Sequence, residues 1–357
     1  MEPQNNRKPT LAAPRRILIV RLGSMGDIIH ALPAAAALHE RFPDCEIDWL
    51  VESRWRELLE GNPCLARVVA VDTLAWRKQP LSVDVWSMLR KTIMGLQERR
   101  YDYALDLQAA LKSAVACRLS GAREIIGFER PWLKEAAGSA LYTRRIKTHA
   151  AHIVDANLAL AAALGAALSP VRFPLPTDDA TSLPAWLPGN GYAVLNPGAG
   201  WRSKCWPPEH FASLADTLAD ELALPSVLNC GPGEEPLAQQ VQQACRRQKP
   251  PIYSGNLKGL MALLRRSRLM VGPDTGPLHL AAALGVPTVG LFGPTDPGRN
   301  GPYGRLHRTL RPVGVATSYK HSSEEGAAMR SITPEKVMHT IRELLKQEES
   351  IARSETR

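Results

Sequence analysis

An aspartate that opens a helix behind a glycine loop is placed to accept a proton. In Gly23-Ser24-Met25-Gly26-Asp27 the glycines let the backbone turn close to a ligand. A carboxylate at the positive end of a helix suits both a general base and a plain helix cap, so Asp27 has either role. A second loop, VGPDTGPLH from Val271 to His279, runs from a strand end into a helix with Pro277 in its first turn. Amides at such a helix start cradle a diphosphate. Thr275 and Gly276 can donate there, Asp274 orients the loop or meets a ribose hydroxyl, and His279 is either a core histidine or a phosphate neighbour; the same residues also suit a plain capped helix start. The third loop, NPGAG from Asn196 to Gly200, is followed by Arg202, Lys204 and Trp206. Lys204 is the cation chosen to neutralise charge on a departing diphosphate, against the simpler role of a solvated surface lysine. A fourth, Cys230-Gly231-Pro232-Gly233-Glu234-Glu235, offers a carboxylate to ribose hydroxyls or merely an acid to begin the next helix.

Other chemistries lack their residues. No Asp-x-Asp pair occurs to hold a metal-bridged sugar diphosphate, and there is no GxSxG, P-loop or zinc spacing. His149 and His152, three residues apart, could share a helical face but have no third ligand nearby. The six cysteines are scattered, which predicts a reducing, cytoplasmic setting. No stretch has the apolar length of a membrane span or the h-region of a leader.

These loops need scaffolds. RILIV (Arg16 to Val20) reads as a strand, and Asp27 to Arg41 repeats apolar residues at helical spacing. Further strands are read at 47–51, 68–71, 103–107 and 125–128, with helices at about 52–60, 84–99 and 109–119. Alternating strands and helices predict a parallel sheet covered on both faces. Proline, serine, threonine and aspartate then crowd 170–188, which is linker composition. A second series follows, with strands at 192–195, 226–229, 269–271 and 288–292 and helices at 209–223, 234–247 and 278–284. A last helix from Pro334 to about Gln347 has Thr333 as its candidate cap. With 357 residues, 45% of them apolar, two domains are expected. The boundaries are a tail at 1–14, a first domain at 15–172, a linker at 173–188, a second domain at 189–330, the helix at 331–347 and a tail at 348–357. The net charge is +9, with +6 of it before residue 177, which favours an anionic partner without naming one.

Taken in order, GSMGDIIHALPA (23–34), DLQAALKSA (106–114), NPGAGWRSKCWP (196–207), GPGEE (231–235) and VGPDTGPLHLAAALGVPTVGLFGPTDP (271–297) resemble the ADP-heptose:lipopolysaccharide heptosyltransferase family, glycosyltransferase family 9. The likeness covers about 15–347, and the SMGDxxHxLP form is nearer to heptosyltransferase I than to II. It implies a GT-B fold: two facing Rossmann-like domains, acceptor on the first, donor on the second, and a C-terminal helix returning to the first. It implies Asp27 as the base of an inverting transfer of heptose from ADP-heptose to Kdo-lipid A, with Lys204 on the donor phosphates. Ser24, Gly26, Ala199, Gly200, Glu234 or Glu235, Asp274, Thr275, Gly276 and His279 fall on the donor side, and Lys112, Lys134 and Arg77 on the acceptor side. Ala109 stands where the family has glycine and Lys134 where it has arginine, and 319–329 lacks the cysteines of some relatives.

The expectation is a monomer without cofactor or metal requirement, whose linker acts as a hinge for the closure that brings the two domains together; a nucleic-acid partner rests only on charge, without a recognised module. Trp76, Arg77, Lys78, Trp86, Arg90 and Lys91 make a basic, aromatic stretch that suits the anionic inner face of the inner membrane or equally a solvated helix with buried tryptophans. Heptosyltransferase II, another family-9 acceptor, and a noncatalytic nucleotide-sugar sensor are the competing readings.

Overall fold

Arg16–Val20 (β1) has no polar face: Ile17, Leu18, Ile19 and Val20 are all fully buried. Such a strand belongs in the middle of a parallel sheet covered on both sides. In the computed structural model, which describes residues 13–79, 81–133, 135–177, 183–189, 191–318 and 326–355, it sits there. Its neighbours are Glu46–Glu52 (β2) and, on the other side, Tyr103–Asp106 (β4), with Ile17 in register with Ile47 and Tyr103. Arg67–Val71 (β3), Glu124–Phe128 (β5) and Arg144–Ile146 (β6) complete the order β3-β2-β1-β4-β5-β6. Side chains alternate across the sheet. Ile17 and Ile19 join Ile47, Trp49 and Leu105 on one face, whereas Leu18 and Val20 join Leu50 and Ala104 on the other. Each such fully buried side chain contributes roughly 1.5–3 kcal/mol of burial energy.

The second sheet repeats the plan. Ala193–Leu195 (β7), Ser226–Asn229 (β8), Ile252–Tyr253 (β9), Leu269–Pro273 (β10), Thr288–Leu291 (β11) and His307–Leu310 (β12) run in the order β12-β11-β10-β7-β8-β9. In each sheet the direction of winding reverses beside the first strand, between β1 and β4 and between β7 and β10. Open α/β sheets leave their ligand crevice at that point, outside the carboxyl strand ends. Both crevices are therefore fixed by topology before any side chain is considered.

The two units share apolar packing. Val194, Val227 and Met270 lie in the same buried cluster as Ile28, Ile29 and Leu32 of the helix Met25–Arg41, which packs on the helices Ile153–Ala162 and Gly276–Ala283. The N-terminal end of the linker is also fastened. Asn62 Nδ2 donates to the Pro174 carbonyl at 2.7 Å and Arg265 Nη2 to that of Pro176 at 3.2 Å. Residues 1–12 of the expected N-terminal tail and 178–182 of the linker lie outside the described residues.

Two expectations about the C-terminus are corrected. The last helix runs Pro334–Glu355, so 348–355 is helical rather than a frayed tail. Nor does it return to the first domain: Val337, Met338, Ile341 and Leu344 are buried with Leu195, Phe211, Leu218 and Leu291, against the helix Pro208–Leu222 and the strands β11 and β12. Those second-domain side chains would otherwise leave one face of their sheet bare. Thr333 Oγ1 accepts from Lys336 N at 3.4 Å, in a capping position.

Candidate active site

The loop after β1 is held from below. Arg21 directly follows the strand, is 3% exposed, and donates through Nη1 to the Leu107 carbonyl. Its Nη2 lies 2.6 Å from Asp27 Oδ1. Ser24 caps the helix Met25–Arg41, so Asp27 is the third helical residue and not the cap. Its Oδ2 accepts from Ser24 N at 3.0 Å and Ser24 Oγ at 3.1 Å. The Asp27 side chain keeps 28% exposure, so the carboxylate is oriented yet reachable. The loop itself hangs on Gln108, whose Oε1 accepts from Leu22 N at 2.9 Å and Gly23 N at 3.4 Å.

Gln108 is placed by a buried acid in turn. Asp106 accepts from Gln108 N, Ala109 N, Ser113 Oγ and Tyr142 OH at 2.6–3.0 Å. Burial raises its pKa, and these hydrogen bonds oppose the rise. Ala109, standing where the resemblance implies glycine, has φ of 58°, the left-handed region in which a Cβ is strained. The two amide bonds to Asp106 hold the turn there despite the methyl group.

Asp27 faces a cavity of about 650 Å³ between the domains. Ser24 and Gly26 line it from the first domain, and Lys204, Asp274, Thr275, Gly276 and His279 from the second. Lys204 Nζ is 2.7 Å from Asp274 Oδ2 and 4.5 Å from the centre of the Trp201 ring. Asp274 Oδ1 meets His279 Nε2 at 3.0 Å. Burial penalises the ionised Asp274 carboxylate, but the His279 hydrogen bond and charge, with Lys204, outweigh that and hold its pKa below the usual carboxylate range. Asp274 is thus engaged in holding Lys204 and His279. Thr275 caps the helix Gly276–Ala283, whose positive end abuts the cavity.

The domains meet tightly beside this cavity. A Cβ on Gly26 would lie 2.6 Å from His279 Cδ2, and one on Gly276 2.4 Å from Met25 Sδ. His30, 3% exposed, stacks edgewise on His279 at 4.5 Å and on His152 at 5.4 Å between ring centres.

The remaining expected residues are distributed differently. Gly198, Ala199 and Glu234 line a second cavity of about 550 Å³. Glu234 Oε2 accepts from Gly231 N at 2.9 Å, and a Cβ on Gly198 would overlap the same carboxylate at 2.1 Å. Gly200 and Glu235 line neither cavity, and neither does Lys112, which is exposed. Lys134, the Arg77 side chain and 319–325 lie outside the described residues. Among the described residues no three His, Cys, Asp or Glu side chains gather to hold a metal ion, and no helix is long and apolar enough to cross a membrane. Arg21, Gln108, His30, Trp132, Trp201 and Arg299 line the main cavity without having been singled out for it. Arg21 had one signal, a cation directly after an apolar strand and before the glycine loop.

The pattern defining Glycosyltransferase family 9 (heptosyltransferase) matches residues 89–327. Lipopolysaccharide heptosyltransferase 1 of Pseudomonas aeruginosa is 33% identical over 302 residues, covering 81% of this chain and 82% of the relative. Among solved structures, E. coli heptosyltransferase WaaC with ADP superposes with a TM-score of 0.77 at 28% identity, covering 92% of this chain and 99% of the other. The same enzyme with ADP-2-deoxy-2-fluoro heptose gives 0.75 at 27%, with the same coverage. On these grounds, joined to two facing parallel sheets, the chain belongs to glycosyltransferase family 9, the heptosyltransferases.

Proposed function

We propose that the protein transfers heptose from ADP-L-glycero-D-manno-heptose to the Kdo-lipid A inner core with inversion at the anomeric carbon. One observation carries this reading: Asp27 and Lys204, from different domains, line a single cavity. Inversion needs one carboxylate on the face opposite the leaving group. Asp27 takes the proton from the acceptor hydroxyl as its oxygen attacks the anomeric carbon, and the bond to the ADP oxygen breaks. Lys204 and the helix start at Gly276 receive the charge growing on the diphosphate, so no resident metal is assigned a step. Glu234, beside the glycine loop, is the acid assigned to the ribose hydroxyls. The relative solved with ADP-2-deoxy-2-fluoro heptose supports the choice of donor.

The acceptor is lipid-borne, and the reading places the protein at the cytoplasmic face of the inner membrane. Trp86 is 58% exposed on the helix Val83–Glu98, with Val83 at 82% and Met88 at 59%, and Lys78, Arg90 and Lys91 are exposed nearby. Trp76 instead packs against the core of the first domain. Apolar side chains beside lysine and arginine suit an anionic bilayer.

The test incubates purified protein with ADP-heptose and Kdo-lipid A and reads one heptose added by mass. Transfer only to an already heptosylated core would instead indicate the heptosyltransferase II reaction. Sedimentation with anionic vesicles that vanishes at high salt supports the membrane reading, and none at any salt refutes it.

A further inference from the structure

The acid assigned to the ribose lies in a slot between two glycines. A Cβ on Gly198 would overlap the Glu234 carboxylate, and one on Gly231 would lie 3.2 Å from its Oε2. The Gly231 amide also donates to Oε2 at 2.9 Å. Where these two glycines stand therefore decides where the carboxylate stands.

Each glycine follows an asparagine by two residues, in Asn196-Pro197-Gly198 and in Asn229-Cys230-Gly231. Asn196 directly follows β7, and Asn229 closes β8. These strands are parallel neighbours with Leu195 in register with Leu228, so the two asparagines come side by side at the carboxyl edge of the sheet. Asn229 Nδ2 donates to Asn196 Oδ1 at 2.6 Å, and Asn196 Nδ2 donates to the Gly198 carbonyl at 2.9 Å. On the other flank stands β10, where a Cβ on Gly272 would lie 3.1 Å from Asn196 Cβ. Asn196 is 2% exposed and Asn229 5%. Neither lines the main cavity or the one that holds Glu234, so any part they take in donor binding is played through other residues.

We propose that Asn229 and Asn196 are positioning residues for the donor. Their hydrogen-bonded pair locks two strand ends together, and with them the glycine slot that aims Glu234 at the nucleotide. A buried amide pair suits this work, because breaking either bond leaves a desolvated donor or acceptor behind. The inference rests on the reading of Glu234 as the acid that meets the ribose hydroxyls.

The test is calorimetric titration of ADP and of 2′,3′-dideoxy-ADP into wild type, Asn229→Asp, Glu234→Gln and the double variant. Asn229→Asp keeps the shape of the side chain but sets an oxygen against Asn196 Oδ1. It is expected to weaken ADP about tenfold, as for a lost buried hydrogen bond. In the Glu234→Gln background it should change ADP affinity by less than about twofold, since the acid through which it acts is already disabled. An equal loss in both backgrounds marks a merely structural role and overturns the proposal, as does unchanged ADP affinity. Asn196→Asp retains an oxygen for Asn229 and removes only the donor to Gly198. It should show the same coupling to Glu234→Gln, and it decides the matter should Asn229→Asp fail to fold. The dideoxy nucleotide separates this proposal from the reading beneath it. If Glu234→Gln weakens both nucleotides alike, the ribose assignment falls, while the coupling still decides the positioning.

Discussion

Two aspartates face one cavity, and their surroundings give them different work. Asp27 and Asp274 both follow the strands that flank a winding reversal, near the start of a helix. Asp27 keeps 28% of its side chain exposed and is oriented by Arg21 and Ser24. Asp274 keeps 9% and is gripped by Lys204 and His279. A base must meet the proton it removes, so the reachable acid is the one to which the step is assigned. The enclosed one has its oxygens committed to a cation and an imidazole. In the proposed mechanism, what separates catalyst from support is the shell of partners, since residue type and position in the fold are shared.

Substitution at the two positions should therefore give different kinetic patterns. Asp27→Ala is expected to lower kcat by about 10²–10⁴-fold, the usual worth of a general base, with ADP affinity unchanged by calorimetry. Near-normal turnover would remove Asp27 from the mechanism. Lys204→Ala should cost about 10²–10³-fold in kcat, as for the loss of one preorganised group at a developing anion, and should weaken ADP as well. Asp274→Asn keeps Lys204 but loosens it, so the loss should be smaller than that of Lys204→Ala and should appear in donor KM together with kcat. If Asp274→Asn instead matched Asp27→Ala with ADP binding intact, the roles drawn from exposure would be reversed.

How much of this was legible in the sequence depends on whether the cause was local. β1 and β8 read directly because RILIV and SVLN are short apolar runs bounded by breakers. β6 (RRI), β9 (IY) and β12 (HRTL) escaped notice, being edge or near-edge strands too short or too polar for periodicity. The last helix shows its apolar stripe in sequence, but a stripe does not say which domain it covers. The glycine loops pointed to both crevices, whereas the Asp274–Lys204 pair links residues 70 positions apart, and only the folded sheet brings them together. Arg299 was invisible for the same reason, since its partner Trp132 lies in the other domain.

The contact between the helix that carries Asp27 and the helix that follows Asp274 offers a gentler way to probe the comparison. Gly26→Ala would drive a methyl group against the His279 ring, which holds Asp274. Overpacking of this kind costs about 1–3 kcal/mol. A lower thermal midpoint with a raised donor KM is expected, and an unchanged protein would mean that the helices part freely.

The smallest effect concerns His30, one turn beyond Asp27, with its ring against His279. Burial, then the neighbouring His279 and His152, push its pKa well below 6.5, with Arg21 adding to this and Asp27 opposing it. The sign follows from linkage. The unfolded chain takes up the proton below about pH 6.5 while the folded one resists, so the contribution of neutral His30 is full above that pH and is lost as the solution is acidified. Each unmatched proton tilts stability by about 1.4 kcal/mol per pH unit. His30→Leu should reduce that tilt between about pH 6.5 and 5 in denaturant titrations, leaving stability above pH 7 much less altered. An identical slope in both proteins would show that the buried imidazole does not report on the junction between the two aspartates.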